Sequence, residues 1–130
     1  MKKKVVVQLP RQANPQELRL RYAEELEALD SVAEIVEVDG STEESFIEGA
    51  QDADALLTSW GINITRKIIE SLDKCVVIGV GSVGVDMVDV DAATENGIVV
   101  TNTPDIFIEE VADHAMALLL GSYRQLKIQD

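Results

Sequence analysis

The chain has 130 residues, of which 46% are hydrophobic, enough for one domain with a real core and too many for a disordered chain. Its 24 acidic and 11 basic residues give a formal charge of −13, which would repel a phosphate backbone and excludes nucleic acid as an expected partner. No secretory signal opens the chain, the longest apolar run (Ala115 to Leu120) is far too short to span a bilayer, and the single cysteine, Cys75, precludes an internal disulfide; the expectation is a cytoplasmic protein.

In chain order, Val5-Val6-Val7, flanked by Lys4 and Gln8, reads as a short buried strand ended by Pro10. Asn14-Pro15 is an N-cap with a first-turn proline, and Leu18, Tyr22, Leu26 and Leu29 recur at helical spacing. Ala33 to Val38 alternates apolar and acidic residues, as a half-exposed edge strand does. Ser41-Thr42-Glu43-Glu44 opens a short helix with a capping-box pattern. Ala53 to Leu57 is a third strand, and Thr65 caps a helix carrying Ile68, Ile69 and Leu72. Lys74 to Ile78 is a fourth strand, with Cys75 as a buried, inert thiol. Asp91 to Asn96 makes one or two helical turns stopped by Gly97, Ile98 to Val100 is a fifth strand, and a long helix runs from about Ile108 to about Lys127.

Strands alternating with helices predict an α/β fold with a doubly wound parallel sheet. A wholly apolar first strand and a half-polar second one give the order 2-1-3-4-5, the flavodoxin-like layout. Ligands of such sheets bind beyond the carboxyl ends of the strands, here Leu9 to Ala13, Thr58 to Asn63, Gly79 to Gly84 and Thr101 to Phe107. The last helix is apolar on nearly every side in its middle. One face can lie on its own sheet, so the other calls for a second domain or a second subunit.

Gly79-Val80-Gly81-Ser82-Val83-Gly84 is a literal G-x-G-x-x-G after a strand. Its context argues against a dinucleotide site. Asp86, Asp89 and Asp91 follow at once and would repel a pyrophosphate, any helix before Asn96-Gly97 is short, and no acid for a ribose ends the next strand. Successive N–H groups of Ser82-Val83-Gly84 can instead converge on a carboxylate. A tight turn that needs glycine and binds nothing fits the turn equally well. A flavin-phosphate loop and a phospho-accepting acid cluster both fail on the residues present. His114 is the only histidine and Asp113 beside it points elsewhere on a helix, so neither a metal site nor a nucleophilic triad is expected.

The stretch from Val77 to Leu120 closely resembles the D-isomer-specific 2-hydroxyacid dehydrogenases, most of all their glyoxylate/hydroxypyruvate reductase and C-terminal-binding-protein-like branches. The matching pieces are Ser82-Val83-Gly84-Val85-Asp86 with Val88-Asp89, Asp91 to Ile98, Thr101 to Asp105, and Glu110 to Ala115. The resemblance implies a flavodoxin-like substrate-binding domain over 1–107 and an interdomain crossing helix over 108–130, with the Rossmann domain that binds NAD or NADP absent. It implies that Val83 and Gly84, with Ser82, offer backbone amides to the carboxylate of a small 2-keto or 2-hydroxy acid. Trp60 and Phe107 become further candidate substrate contacts and Ile108 a candidate cofactor contact, and no catalytic residue falls in this chain. Phe107-Ile108 and Val80 depart from the polar residues and the arginine that many members carry there.

Three expectations follow. The chain is a substrate-binding portion of an NAD(P)-dependent 2-hydroxyacid dehydrogenase, silent by itself. Or it is an assembly module that forms a homodimer, or a helix-exchanged dimer, through its last helix. Or Gly79 to Gly84 binds NAD directly.

Overall fold

The computed structural model describes residues 2–9, 23–58 and 61–126. Pro10, the Asn14-Pro15 helix start and Trp60 lie outside them. The elements are β1 (Lys3–Leu9), α1 (Ala23–Asp30), β2 (Ala33–Asp39), α2 (Glu43–Ala50), β3 (Ala55–Thr58), α3 (Arg66–Glu70), β4 (Val77–Val80), α4 (Val90–Glu95), β5 (Val99–Thr101) and α5 (Ile108–Arg124).

All strand pairs are parallel and the order is β2-β1-β3-β4-β5, the expected layout. One row of side chains crosses the whole sheet in register: Val36, Val6, Leu56, Ile78 and Val100. Its three central members are at most 2% exposed. Phe46 and Ala50 of α2, Ile68 and Ile69 of α3, and Ala92 and Ala93 of α4 close over that row as one core. Burial of these side chains from water is the main term holding helices of five to eight residues, too short to persist alone.

Local signals set the helix starts. Thr42 accepts a hydrogen bond from the Ser45 N–H and Thr65 one from the Ile68 N–H. The capping box on α2 closes through Ser45, whose hydroxyl accepts the Thr42 N–H, rather than through a glutamate. Gly97 ends the α4 turn at φ 69°, the left-handed conformation that glycine adopts without strain.

Two expectations need correction. β4 runs over Val77–Val80, not Lys74 to Ile78, so Gly79 is a strand residue paired with Leu57 and Thr101 and not part of a loop. A Cβ on Gly79 would lie 3.3 Å from Leu57 Cδ1, so the missing side chain lets Leu57 lie over the strand. The second correction concerns α5, which has no buried residue at all. Ile108, Val111, Leu118, Leu119, Leu120 and Tyr123 are each more than half exposed, so the helix does not lay even one face on its own sheet. Among the described residues, no helix is long and apolar enough to cross a membrane.

Candidate functional site

The turn after β4 is built by its carbonyl groups. The Gly81 N–H first docks it to β3 by donating to the Thr58 carbonyl at 2.8 Å. Three successive carbonyls are then held: Ser82 O accepts the Thr103 N–H at 3.1 Å, Val83 O accepts Asn102 Nδ2 at 2.7 Å, and Gly84 O accepts Ser82 Oγ at 2.8 Å. The N–H groups of Ser82, Val83 and Gly84 have no partner among the described residues. With the Ser82, Val83 and Gly84 carbonyls tied and their amides unpaired among the described residues, the turn has donors to offer an anion. A carboxylate placed against those amides would gain about 1.5–3 kcal/mol for each charge-assisted bond.

Glycine is not needed in this turn for a left-handed backbone, since Gly97 alone among the described glycines has positive φ. At Gly84 a Cβ would meet Asp86 Oδ2 at 2.7 Å, a contact that the exposed Asp86 side chain can relieve by turning away.

The turn forms one wall of a cavity of about 520 Å³. Asn63, Asp86 and Met87 line a second wall, and Ile106, Phe107 and Val111 a third. The two segments of the second wall are tied to each other by Ile64, which donates to Met87 O at 2.7 Å and accepts from the Asp89 N–H at 3.0 Å. The third is set by an unusual backbone. Asp105 and Phe107 both have left-handed φ, 61° and 63°. For Phe107 that conformation costs about 1–2 kcal/mol. It turns the chain from the sheet into α5, whose first turn has no side-chain cap.

Of the expected contacts, Ser82, Val83, Gly84 and Phe107 line this cavity together, and Ile108 begins α5 without lining it. Val80, at the position where many family members carry arginine, is 2% exposed and belongs to the core. The sequence reading missed Asn102, which holds the turn, and Met87 and Ile106, which line the cavity. Thr101-Asn102-Thr103 was visible as a polar strand end, but its reach back to Val83, 19 residues earlier, follows from strand pairing alone.

A buried polar pair lies behind the cavity. Gln8 is 4% exposed and Thr58 2%. Thr58 Oγ1 donates to Gln8 Oε1 at 2.8 Å and lies 4.0 Å from Met87 Sδ. Gln8 Nε2 is buried without a partner among the described residues, and a Cβ on Gly61 would come within 2.4 Å of it. Leaving such a donor unpaired costs roughly 1–3 kcal/mol.

Other chemistries are not supported. Cys75 is buried, and burial pushes its thiol pKa up, against the thiolate. No group of three histidine, cysteine or acidic residues among the described residues could hold a metal ion, and His114 is exposed on α5. The glycine fingerprint is not followed directly by a helix start. α4 does not begin until Val90, and Asp89 already caps it by accepting the Ala92 N–H at 2.8 Å. A pyrophosphate would find no free helix N-terminus after the glycines.

Comparisons with known proteins identify the family of the chain. Residues 15–123 match the family described as D-isomer specific 2-hydroxyacid dehydrogenase, catalytic domain. The D-3-phosphoglycerate dehydrogenase of Methanocaldococcus jannaschii is 40% identical over 105 residues, 81% of this chain and 20% of that protein. The glyoxylate reductase of Pyrococcus furiosus is 40% identical over 83 residues, 64% of this chain and 25% of that protein. Among solved structures, NAD+-bound 3-phosphoglycerate dehydrogenase of Entamoeba histolytica superposes with a TM-score of 0.77 at 25% identity, over 95% of this chain and 40% of that one. The chain thus spans about a fifth to two fifths of the length of these relatives. Glyoxylate reductases were among the expected branches, whereas the phosphoglycerate dehydrogenases had not been singled out. With most of its length matched, this chain belongs to the D-isomer-specific 2-hydroxyacid dehydrogenase family.

Proposed function

We propose that this chain is the substrate-binding portion of an NAD(P)-dependent 2-hydroxyacid dehydrogenase, and that the N–H groups of Ser82, Val83 and Gly84 hold the carboxylate of a 2-keto or 2-hydroxy acid. One observation carries the reading: the carbonyls of Ser82, Val83 and Gly84 are engaged by the protein, while the amides of the same three residues have no partner among the described residues and the three residues line a cavity. In the whole enzyme, hydride passes between the nicotinamide and C2 of the acid. Here residues 1–107 form the substrate domain and residues 108–130 the helix leading to the NAD(P) domain. The acid/base group and the nicotinamide contacts come from outside this chain, so the chain by itself binds the acid without turning it over. A cytoplasmic setting suits a metabolic enzyme with one reduced thiol.

Amide-resolved NMR titration with glyoxylate tests this. Saturable shifts at Val83 and Gly84, with none on adding NADH, are the expected result. Glyoxylate leaving those two amides unmoved would refute the carboxylate assignment, and saturable NADH shifts across Gly79 to Gly84 would favour direct dinucleotide binding.

A second reading rests on α5. A 17-residue helix with no buried residue and a run of exposed Leu118, Leu119 and Leu120 is suited to a second copy of the chain, packed isologously or by helix exchange. Sedimentation velocity over a hundredfold concentration range decides it, a constant monomer ruling the dimer out.

A further inference from the structure

Peptide planarity joins each carbonyl of the turn after β4 to the amide of the next residue. Across a trans peptide the C=O and the following N–H point in opposite directions. Holding Ser82 O therefore aims the Val83 N–H, and holding Val83 O aims the Gly84 N–H. Both carbonyls are held by the segment after β5: Ser82 O by the Thr103 N–H at 3.1 Å and Val83 O by Asn102 Nδ2 at 2.7 Å. Neither Asn102 nor Thr103 lines the cavity, whereas Ser82, Val83 and Gly84 do. The Val83 and Gly84 amides are thus aimed away from residues 102–103.

The two locks differ in kind. Thr103 uses its backbone N–H, which every residue except proline supplies. Asn102 uses its side chain, and chemistry fixes which end of the carboxamide faces the turn: a carbonyl oxygen only accepts, so the nitrogen must be the atom against it. The bond is exposed, as is Asn102 itself, so water competes for it and it adds little to the fold. The plane it holds is the one most able to turn over. Gly84 does not have a positive φ here. Turning over the plane between Val83 and Gly84 would rotate that φ by about 180° into the positive range, which glycine enters without strain. Val83 O would then point where the Gly84 N–H had pointed, and an acceptor would replace a donor.

We propose that Asn102 is a positioning residue for carboxylate binding: by holding Val83 O it locks the Val83–Gly84 peptide plane with the Gly84 N–H turned toward the anion. This rests on the carboxylate reading above. It goes beyond that reading by making one of the amides conditional on a side chain from the next strand end, which itself never touches the ligand.

The test is an amide-resolved NMR titration of the full chain with glyoxylate, on wild type, Asn102→Leu and the double variant Asn102→Leu/Gly84→Ala. Leucine keeps the outline of asparagine and has no donor. Asn102→Leu should weaken glyoxylate about tenfold, the loss of one charge-assisted bond. It should abolish the saturable shift at Gly84 while Val83 still responds and the melting temperature holds. Alanine resists positive φ, and the exposed Asp86 can make room for its Cβ. The double variant should therefore recover most of the affinity and the response of the amide at position 84. A clamp that only holds the fold would instead lower the melting temperature, silence both amides together and gain nothing from the alanine. Any one of those results, or an Asn102→Leu affinity equal to that of wild type, overturns the proposal and leaves the carboxylate site standing. If glyoxylate moves neither amide in wild type, both readings fall.

Discussion

Charge acts at two individual residues with opposite consequences. Asp86 is exposed and lines the cavity beside Gly84, so it places a negative charge near the point where a carboxylate would dock. Removing it with Asp86→Asn should tighten glyoxylate binding a few-fold at low ionic strength, an effect that fades as salt is raised through 0.5 M. Unchanged affinity at low salt would put the carboxylate elsewhere. Asp54 sits at the amino end of the sheet, remote in role from the site. Its carboxylate accepts from Lys3 Nζ at 2.9 Å and the Lys4 N–H at 2.9 Å, with Lys74 Nζ at 3.3 Å. The hydrogen bond from Lys3, then that from the Lys4 backbone, holds its pKa well below the usual carboxylate range. A depressed pKa stabilises the fold above the unfolded value near 3.8, and that contribution drains away as pH falls below it toward the folded value. Urea midpoints of wild type and Asp54→Asn should therefore differ at pH 6 and converge toward pH 2. Parallel curves would show that Asp54 contributes no such linkage.

Among the elements, the short helices hold by caps and by core contact in unequal shares. Gly97 illustrates a cost confined to the backbone. Its φ is 69° and a Cβ there would meet nothing within 4 Å. Gly97→Ala should thus lose about 1 kcal/mol in urea unfolding through conformation alone, and Gly97→Asn less, because asparagine tolerates the left-handed region. A neutral alanine variant would show the turn able to relax. Most of this level was legible in advance: Thr65, Thr42 and Gly97 announced the ends of α3, α2 and α4, and β2 read as an edge from its acidic alternation. The boundary of β4 was not, because glycine reads as a loop residue while Gly79 is retained in the ladder by its place opposite Leu57.

For the whole molecule, the sheet is buried by its own helices on the side of α2, α3 and α4, while α5 is left with its apolar surface in water. If a second copy covers that surface, Leu119→Glu should give a monomer at concentrations where wild type sediments as a dimer. Leu119 is 62% exposed, so melting of the sheet should be unaffected. A variant that still sediments with the wild type would place the partner surface elsewhere on the molecule.

Composition, periodicity and capping residues determined the fold class and the strand order, and the run from Val77 to Leu120 carried the family resemblance, because each depends on neighbours within a few positions or on a contiguous stretch. The tertiary structure decided which groups of the Ser82-Val83-Gly84 turn are open, since two of its three carbonyls, those of Ser82 and Val83, are claimed by Thr103 and Asn102 from the next strand end. It alone also made Gln8 a buried half-satisfied amide, by bringing Thr58 from 50 residues away to one of its two polar atoms and no described residue to the other. Hydrogen-bond completion is a property of three-dimensional neighbours, and no local pattern in the chain encodes it.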